Sequence, residues 1–224
     1  MKVIAVILAR AGSKGIKNKN LSEVGGVSLL ARAILAAKNS GIFSEIIVST
    51  DGENIALEAQ KYGAKVVYRP LSLASDSATS IDAMLHALEE LSLKDGIAVL
   101  LQPTSPLRNE THIKEAFLKF KQNKIGSLIS VKKSTHHPFK SIVLDGGEFR
   151  AVRELKDLES PRQLLPLSYD PNGAIYINFI EDLFKYRRFF IEPIDIYEMD
   201  QENSIDIDSL EDLQKANLVL EKKG

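Results

Sequence analysis

Two segments at opposite ends of the sequence carry charge of opposite sign in patterns that suit chemistry. The stretch ILARAGSKGIKNKN (residues 7–20) ends an apolar run in a loop with four cations, Arg10, Lys14, Lys17 and Lys19, two glycines and no acid. Glycines let a backbone approach a phosphate closely, and exposed amides with Lys and Arg side chains neutralise it. The loop has neither the Walker A pattern nor G-x-G-x-x-G. Its plain alternative is a solvated basic loop. The second segment is SIDIDS (204–209). In an extended chain, residues i and i+2 point the same way. Asp206 and Asp208 then present two carboxylates on one face while Ile205 and Ile207 anchor the other. Hard oxygens so close together suit Mg2+, or Mn2+ in its place, because Mg2+ takes one or two carboxylates plus substrate phosphates. The competing role is a helix cap, Asp208 with Glu211 completing an Asp-x-x-Glu box. That role leaves Asp206 unexplained.

Two polar loops add hydrogen-bonding groups. RPLSLASDSATS (69–80) follows a strand and leads into a helix, so its amides and hydroxyls suit a base or ribose, or simply a serine-rich cap. LLQPTSPLR (100–108) sets Gln102, Thr104 and Ser105 between prolines just past an apolar run. It reads as a rigid binding loop or as a turn before the next helix. The adjacent His136 and His137 point in different directions and have no third ligand in register, so a surface or interface role is preferred to zinc. FKYRRFF (184–190) is expected to be an edge strand whose Phe189 and Phe190 pack or line a pocket.

The elements that must hold these groups alternate. Strands are expected at Val3–Ala9, 45–50, 65–68, 97–102, 127–133 and 173–178. Helices are expected at 28–39, 53–63, 79–92, 110–122 and 209–222, with Ser28 as an N-cap and Gly41 as a stop. Apolar strands alternating with helices imply an α/β fold, a mainly parallel sheet covered on both faces. Ligands then bind outside the carboxyl ends of the strands, which is where the loops after Ala9, Val48 and Leu101 fall. Residues 132–171 break the alternation with a polar, proline-punctuated excursion. Within it SIVLDGGEFRAV reads as a hairpin turning at Asp145-Gly146-Gly147.

The whole suits one large domain, 1–224. Of its 224 residues 44% are hydrophobic and 26% charged, an ordinary globular composition, and the formal net charge is −1. Neutrality argues against general nucleic-acid binding, where a strongly basic face dominates affinity. The absence of cysteine rules out a disulfide frame or thiolate chemistry and fits a cytoplasmic protein. MKVIAVILAR reads as a buried first strand rather than a signal peptide, and no stretch approaches the roughly 20 apolar residues of a membrane span.

At these residues the chain resembles the CMP-sialic acid synthetases, or N-acylneuraminate cytidylyltransferases. The segments that carry the resemblance are ILARAGSKGIKNKN, STD, RPLSLASD, LLQPTSPLR, HHPFK, PRQLLP, NGAIYI and SIDID, in order from Ile4 to about Leu220. The resemblance implies a Rossmann-like nucleotidyltransferase sheet with a small dimerisation excursion, hence a homodimer. It implies transfer of CMP from CTP to a nine-carbon 2-keto sugar acid such as sialic acid, with Mg2+ and release of pyrophosphate. By the resemblance, Arg10, Ser13, Lys14, Lys19 and Asn20 meet the triphosphate, and Arg69 through Ser80 the cytidine. Gln102, Thr104, Ser105, Lys140, Arg162 and Tyr176 approach the sugar acid, and Asp206 and Asp208 hold the metal. Lys17 stands where family members commonly have proline.

The expected reaction is in-line attack of the sugar's anomeric hydroxyl on the α-phosphorus, with Arg10 and Lys19 balancing developing charge. The hydroxyl proton has two candidate acceptors, Asp206 and a metal-bound hydroxide. Rivals are a cytidylyltransferase for legionaminic, pseudaminic or 3-deoxy-manno-octulosonic acid, a glycosyltransferase with a D-x-D site, and a silent sugar-nucleotide binder. QPTSPLR favours a nine-carbon acid over the octulosonate, and the C-terminal place of the acidic pair speaks against the glycosyltransferase. The intact cationic and acidic elements speak against the silent binder.

Overall fold

A computed structural model describes residues 1–13, 15–75, 77–123 and 125–222. The chain opens with β1 (Val3–Leu8), then the basic loop and a two-strand ribbon, β2 (Glu23–Val24) and β3 (Val27–Ser28). Next come α1 (Leu29–Ser40), β4 (Glu45–Thr50), α2 (Glu53–Lys61), β5 (Lys65–Tyr68), α3 (Ser80–Glu90), β6 (Ile97–Leu100), α4 (Glu110–Gln122) and β7 (Ser127–Lys133). The excursion holds β8 (Ile142–Asp145), β9 (Glu148–Ala151) and a short α5 (Leu155–Glu159). The chain returns as β10 (Tyr169–Phe179), α6 (Ile180–Tyr186), β11 (Ile194–Glu198) and α7 (Leu210–Glu221).

The main sheet has seven strands in the order β11-β7-β10-β6-β1-β4-β5. Every neighbour pair is parallel except those made by β10, which runs antiparallel to β6 and β7. Side-chain alternation on β1 shows how the sheet is buried on both faces. Ala5 and Ile7 pack under α1, α2 and α4, while Ile4 and Val6 pack under α3 and α6. A third small cluster, Ile16, Val24, Leu29, Leu107, Ile207 and Ala216, lies beneath the rim of the binding loops. It joins the basic loop to the acidic segment.

Two expectations need correction. Residues 184–190 are not an edge strand: they finish α6 and turn through Arg187, whose φ is 49°. Phe189 and Phe190 pack against Tyr176 as expected. The chain after them supplies one edge of the sheet, β11, whose Ile194 to Glu198 match Ser127 to Val131 of β7. The last helix is capped by Ser209 with Asp212, not by Asp208 with Glu211. The Asp208 carboxylate is thereby left out of the cap.

The excursion spans the residues between β7 and β10, because Lys132 and Lys133 still pair with Asp170 and Tyr169 in the sheet. Its hairpin turns through Gly146 and Gly147 and pairs Asp145 with Glu148. Among the described residues no helix is long and apolar enough to cross a membrane.

Candidate active site

The site begins where β1, β4 and β6 end. Past β1, the basic loop is held from two sides. Ala11 N–H donates to Asp51 Oδ1 at 2.9 Å, and the buried Asn20 side chain donates to the Arg10 carbonyl at 2.9 Å. Past β4 and β5, Arg69 is buried, with its guanidinium donating to the Ser49 carbonyl at 2.9 Å. Burial pushes its pKa down, the Asp51 charge opposes that and Arg10 adds to it. Its Nε finds no acceptor among the described residues. Past β6, Arg108 is fully enclosed and clamps the QPTSPLR loop by donating to the carbonyls of Gln102 (3.0 Å) and Ala174 (3.2 Å). Its burial pushes its pKa down to about 10.

The acidic segment lies across these strand ends. Ile207 N–H donates to the Thr104 carbonyl at 2.8 Å, and Ile207 is buried. That seats Ile205 and Ile207 inward and turns both aspartates to one side, as the alternation requires. Lys19 Nζ lies 2.9 Å from Asp208 Oδ1, so the basic and acidic segments meet directly. Gly15 makes this closeness possible, since a Cβ there would stand 2.6 Å from the Asp208 carbonyl oxygen. The proton affinity of Asp206 is raised first by burial of its carboxyl. A hydrogen bond to Thr104 opposes the shift, the Asp208 charge adds to it, and Lys19 opposes it again. Tyr176 stands on the same side, and its pKa is raised by burial and by the Asp206 charge.

These groups enclose a cleft of about 460 Å³. Of the residues anticipated, Arg10, Ser13, Lys19 and Asn20 line it on one side, Arg69 and Ser80 on another, and Gln102, Thr104 and Asp208 on a third. Lys14 lies outside the described residues. Ser105 is buried, with its hydroxyl 3.5 Å from the Asn172 carbonyl, and is not on the cleft wall. Tyr176 and Asp206 are not among the lining residues. Lys140 and Arg162 sit on the excursion. The Lys140 ammonium donates to the Leu158 carbonyl at 3.0 Å, and Arg162 is exposed in the turn after α5. Ser75 and Thr79, within the segment expected to meet the cytidine, also line the wall, and Thr79 caps α3 by accepting from Asp82 N–H.

The donor set fits a hard divalent cation. Two carboxylates face one way, and part of the raised proton affinity of Asp206 is the charge of its neighbour. Among the described residues no third His, Cys, Asp or Glu joins them, so most of the coordination sphere is left to substrate oxygens and water, the arrangement Mg2+ favours.

A mainly parallel sheet with a basic loop and an acidic pair across one cleft is the architecture of a nucleotidyltransferase. The family model described as cytidylyltransferase matches residues 4–223, and the chain belongs to that family. It is 33% identical to a post-translational flagellin modification protein B of Campylobacter coli, covering 100% of this chain and 97% of that one. It is 37% identical to an N-acylneuraminate cytidylyltransferase of Escherichia coli, covering 100% of this chain but 53% of that protein. The chain therefore spans about half of that relative. It is 32% identical to a CMP-N,N'-diacetyllegionaminic acid synthase of Campylobacter jejuni, covering 100% of this chain and 97% of that one. In fold it is similar to a CMP:2-keto-3-deoxy-manno-octonic acid synthetase solved with CTP. The TM-score is 0.75 at 14% identity, covering 100% of both chains.

Proposed function

We propose that this protein transfers CMP from CTP to the anomeric hydroxyl of a nonulosonic acid, N-acetylneuraminic (sialic) acid in the first reading, and releases pyrophosphate. The observation that carries it is the meeting of Lys19 with Asp208 in a cleft that Arg10, Arg69 and Gln102 also line. A cationic wall suits the triphosphate. Arg69, with an unpartnered buried Nε and a place beside Ser80, suits the nucleoside side. Gln102 and Thr104 at the end of β6 suit the acceptor.

In this mechanism Arg10 and Lys19 neutralise the charge that moves from the α-phosphate to the departing pyrophosphate, mostly a matter of position and electrostatics. Asp206 and Asp208 would hold Mg2+. That ion supplies charge neutralisation at the phosphates and lowers the pKa of a nearby hydroxyl. Thr104 orients the Asp206 carboxyl. Asp206, with the raised proton affinity, is this chain's candidate acceptor for the hydroxyl proton.

A second reading is transfer to legionaminic or pseudaminic acid. It is favoured by coverage: this chain spans 97% of the legionaminic acid synthase but 53% of the sialic acid enzyme. Pyrophosphate release from CTP and Mg2+, with each acid offered separately, distinguishes them. The acid giving the highest kcat/KM is the substrate, and no release with any of them overturns the function.

The excursion is proposed to pair with a second copy of the chain. Its Ile142, Leu144, Phe149, Leu155, Leu164 and Leu167 are each at least 60% exposed, and a lone hairpin is marginal in water.

A further inference from the structure

Asn172 is 4% exposed and belongs to none of the walls of the cleft. It lies in β10 where the register with β7 shifts, between Pro171 and Tyr176. The bulge turns its side chain into the interior, where every polar atom is engaged. Oδ1 accepts from the Ser130 hydroxyl at 2.6 Å and from Ala174 N–H at 3.2 Å. Nδ2 donates to the Ser204 hydroxyl at 2.9 Å and approaches the Met199 sulfur at 3.3 Å. Its carbonyl faces the Ser105 hydroxyl at 3.5 Å.

The bond to Ser204 matters because the acidic pair begins two residues after that serine in the chain. Residues 204–208 have no ladder of their own, and three of the hydrogen bonds that pin them bear on where the acidic pair stands. The first is Ser204 on Asn172. The second is Ile207 N–H on the Thr104 carbonyl, 2.8 Å. The third is Asp208 N–H on the Asp212 carboxylate, 3.2 Å. Asp206 lies between the first pin and the second, and Asp208 is itself the third. The same bulge also touches the acceptor loop. Ala174 accepts from Arg108, which clamps Gln102, and Gly173 lets the Gln102 side chain approach so closely that a Cβ would stand 2.7 Å from its Oε1. The bulge thus holds the acidic segment and the acceptor loop in one frame.

We propose that Asn172 is a positioning residue for the reaction: through Ser204 it sets where Asp206 and Asp208 stand against the cleft. The inference rests on the proposed cytidylyl transfer in that cleft. A buried amide in a satisfied network usually serves stability alone, so the test must separate position from stability.

Ser204→Ala removes the pin to the acidic segment and little volume. Ser130→Ala removes a partner of Asn172 on the side away from that segment, and serves as the stability control. Two quantities are read for each: amide exchange at Ile207, and kcat with KM for CTP. For Ser204→Ala, exchange at Ile207 is expected to rise and kcat to fall, each about tenfold, the worth of roughly one buried hydrogen bond. KM for CTP is expected to stay within about twofold, because the cationic wall is untouched. Ser130→Ala should lose comparable thermal stability yet keep Ile207 exchange and kcat close to wild type. Unchanged Ile207 exchange in Ser204→Ala overturns the proposal. So does loosening with unchanged kcat, which would make the network purely structural. Wild-type protein that releases no pyrophosphate with any acid would count against the reaction instead, and the exchange measurement would still decide whether Ser204 pins the segment.

Discussion

Asp208 is tied in three directions: its carboxylate meets Lys19, its N–H meets Asp212, and its carbonyl stands where a Cβ on Gly15 would collide with it. Replacing it with Asn keeps the shape and the backbone bond but removes the charge. Asp208→Asn is expected to lower kcat on the order of a hundredfold or more, with the circular dichroism spectrum unchanged. Near-normal turnover at saturating Mg2+ would remove the pair from the proposed metal site. Lys19→Ala tests the facing charge. If the ammonium acts on charge that develops as pyrophosphate leaves, kcat falls while KM for CTP changes little. A pure KM effect would assign Lys19 to ground-state binding. EDTA should stop pyrophosphate release, and added Mg2+ or Mn2+ should restore it.

The working elements are loops that borrow their rigidity. Ile16 and Ile207, from opposite charged segments, share one apolar cluster beneath the rim with Leu107 and Ala216. That shared footing keeps the cations and carboxylates at a fixed separation. Gly15→Ala should disturb it, since the new Cβ would need the acidic segment to retreat from a 2.6 Å approach to backbone. Activity is expected to fall about tenfold to a hundredfold through misplacement, with a melting temperature within a few degrees of wild type, because the loop lies outside the main core. Unchanged kcat/KM would show that the two segments move independently.

At the scale of the molecule, the excursion carries exposed apolar side chains and several cations, of which Lys140 and Arg162 do not line the cleft of their own chain. A symmetric pair would cover the first and bring the second near the neighbouring cleft. Sedimentation at micromolar concentration is expected to give a dimer, and Phe149→Asp to give a less active monomer. Mixing inactive Arg162→Ala with inactive Asp208→Asn under exchange conditions should restore activity, since one site of each mixed dimer carries neither defect. No recovery despite exchange would confine Arg162 to its own subunit, and a wild-type monomer would end the pairing idea.

Periodicity alone specified most of the elements. Apolar runs separated by 3.6-period stripes dictate strands covered by helices, and a small polar residue before a stripe marks its start, as Ser28 does for α1. The i, i+2 spacing of Asp206 and Asp208 was equally legible, because their direction depends on local backbone and on the burial of Ile205 and Ile207. Local pattern could not show that β10 enters the sheet antiparallel, nor that β11 rather than residues 184–190 forms its edge, since pairing partners are chosen by long-range packing. The distribution of roles was also hidden. Ser105 and Gln102 look alike in the sequence, yet the turn of the loop buries one and aims the other into the cleft. Asn172 stood within the NGAIYI segment, but nothing there marked a bridging role, since its partners lie 42 and 32 residues away. Sequence determines which groups can do chemistry and which faces must be buried. Only the closing of the chain on itself decides which of those groups meet, because that depends on contacts whose energies no local segment contains.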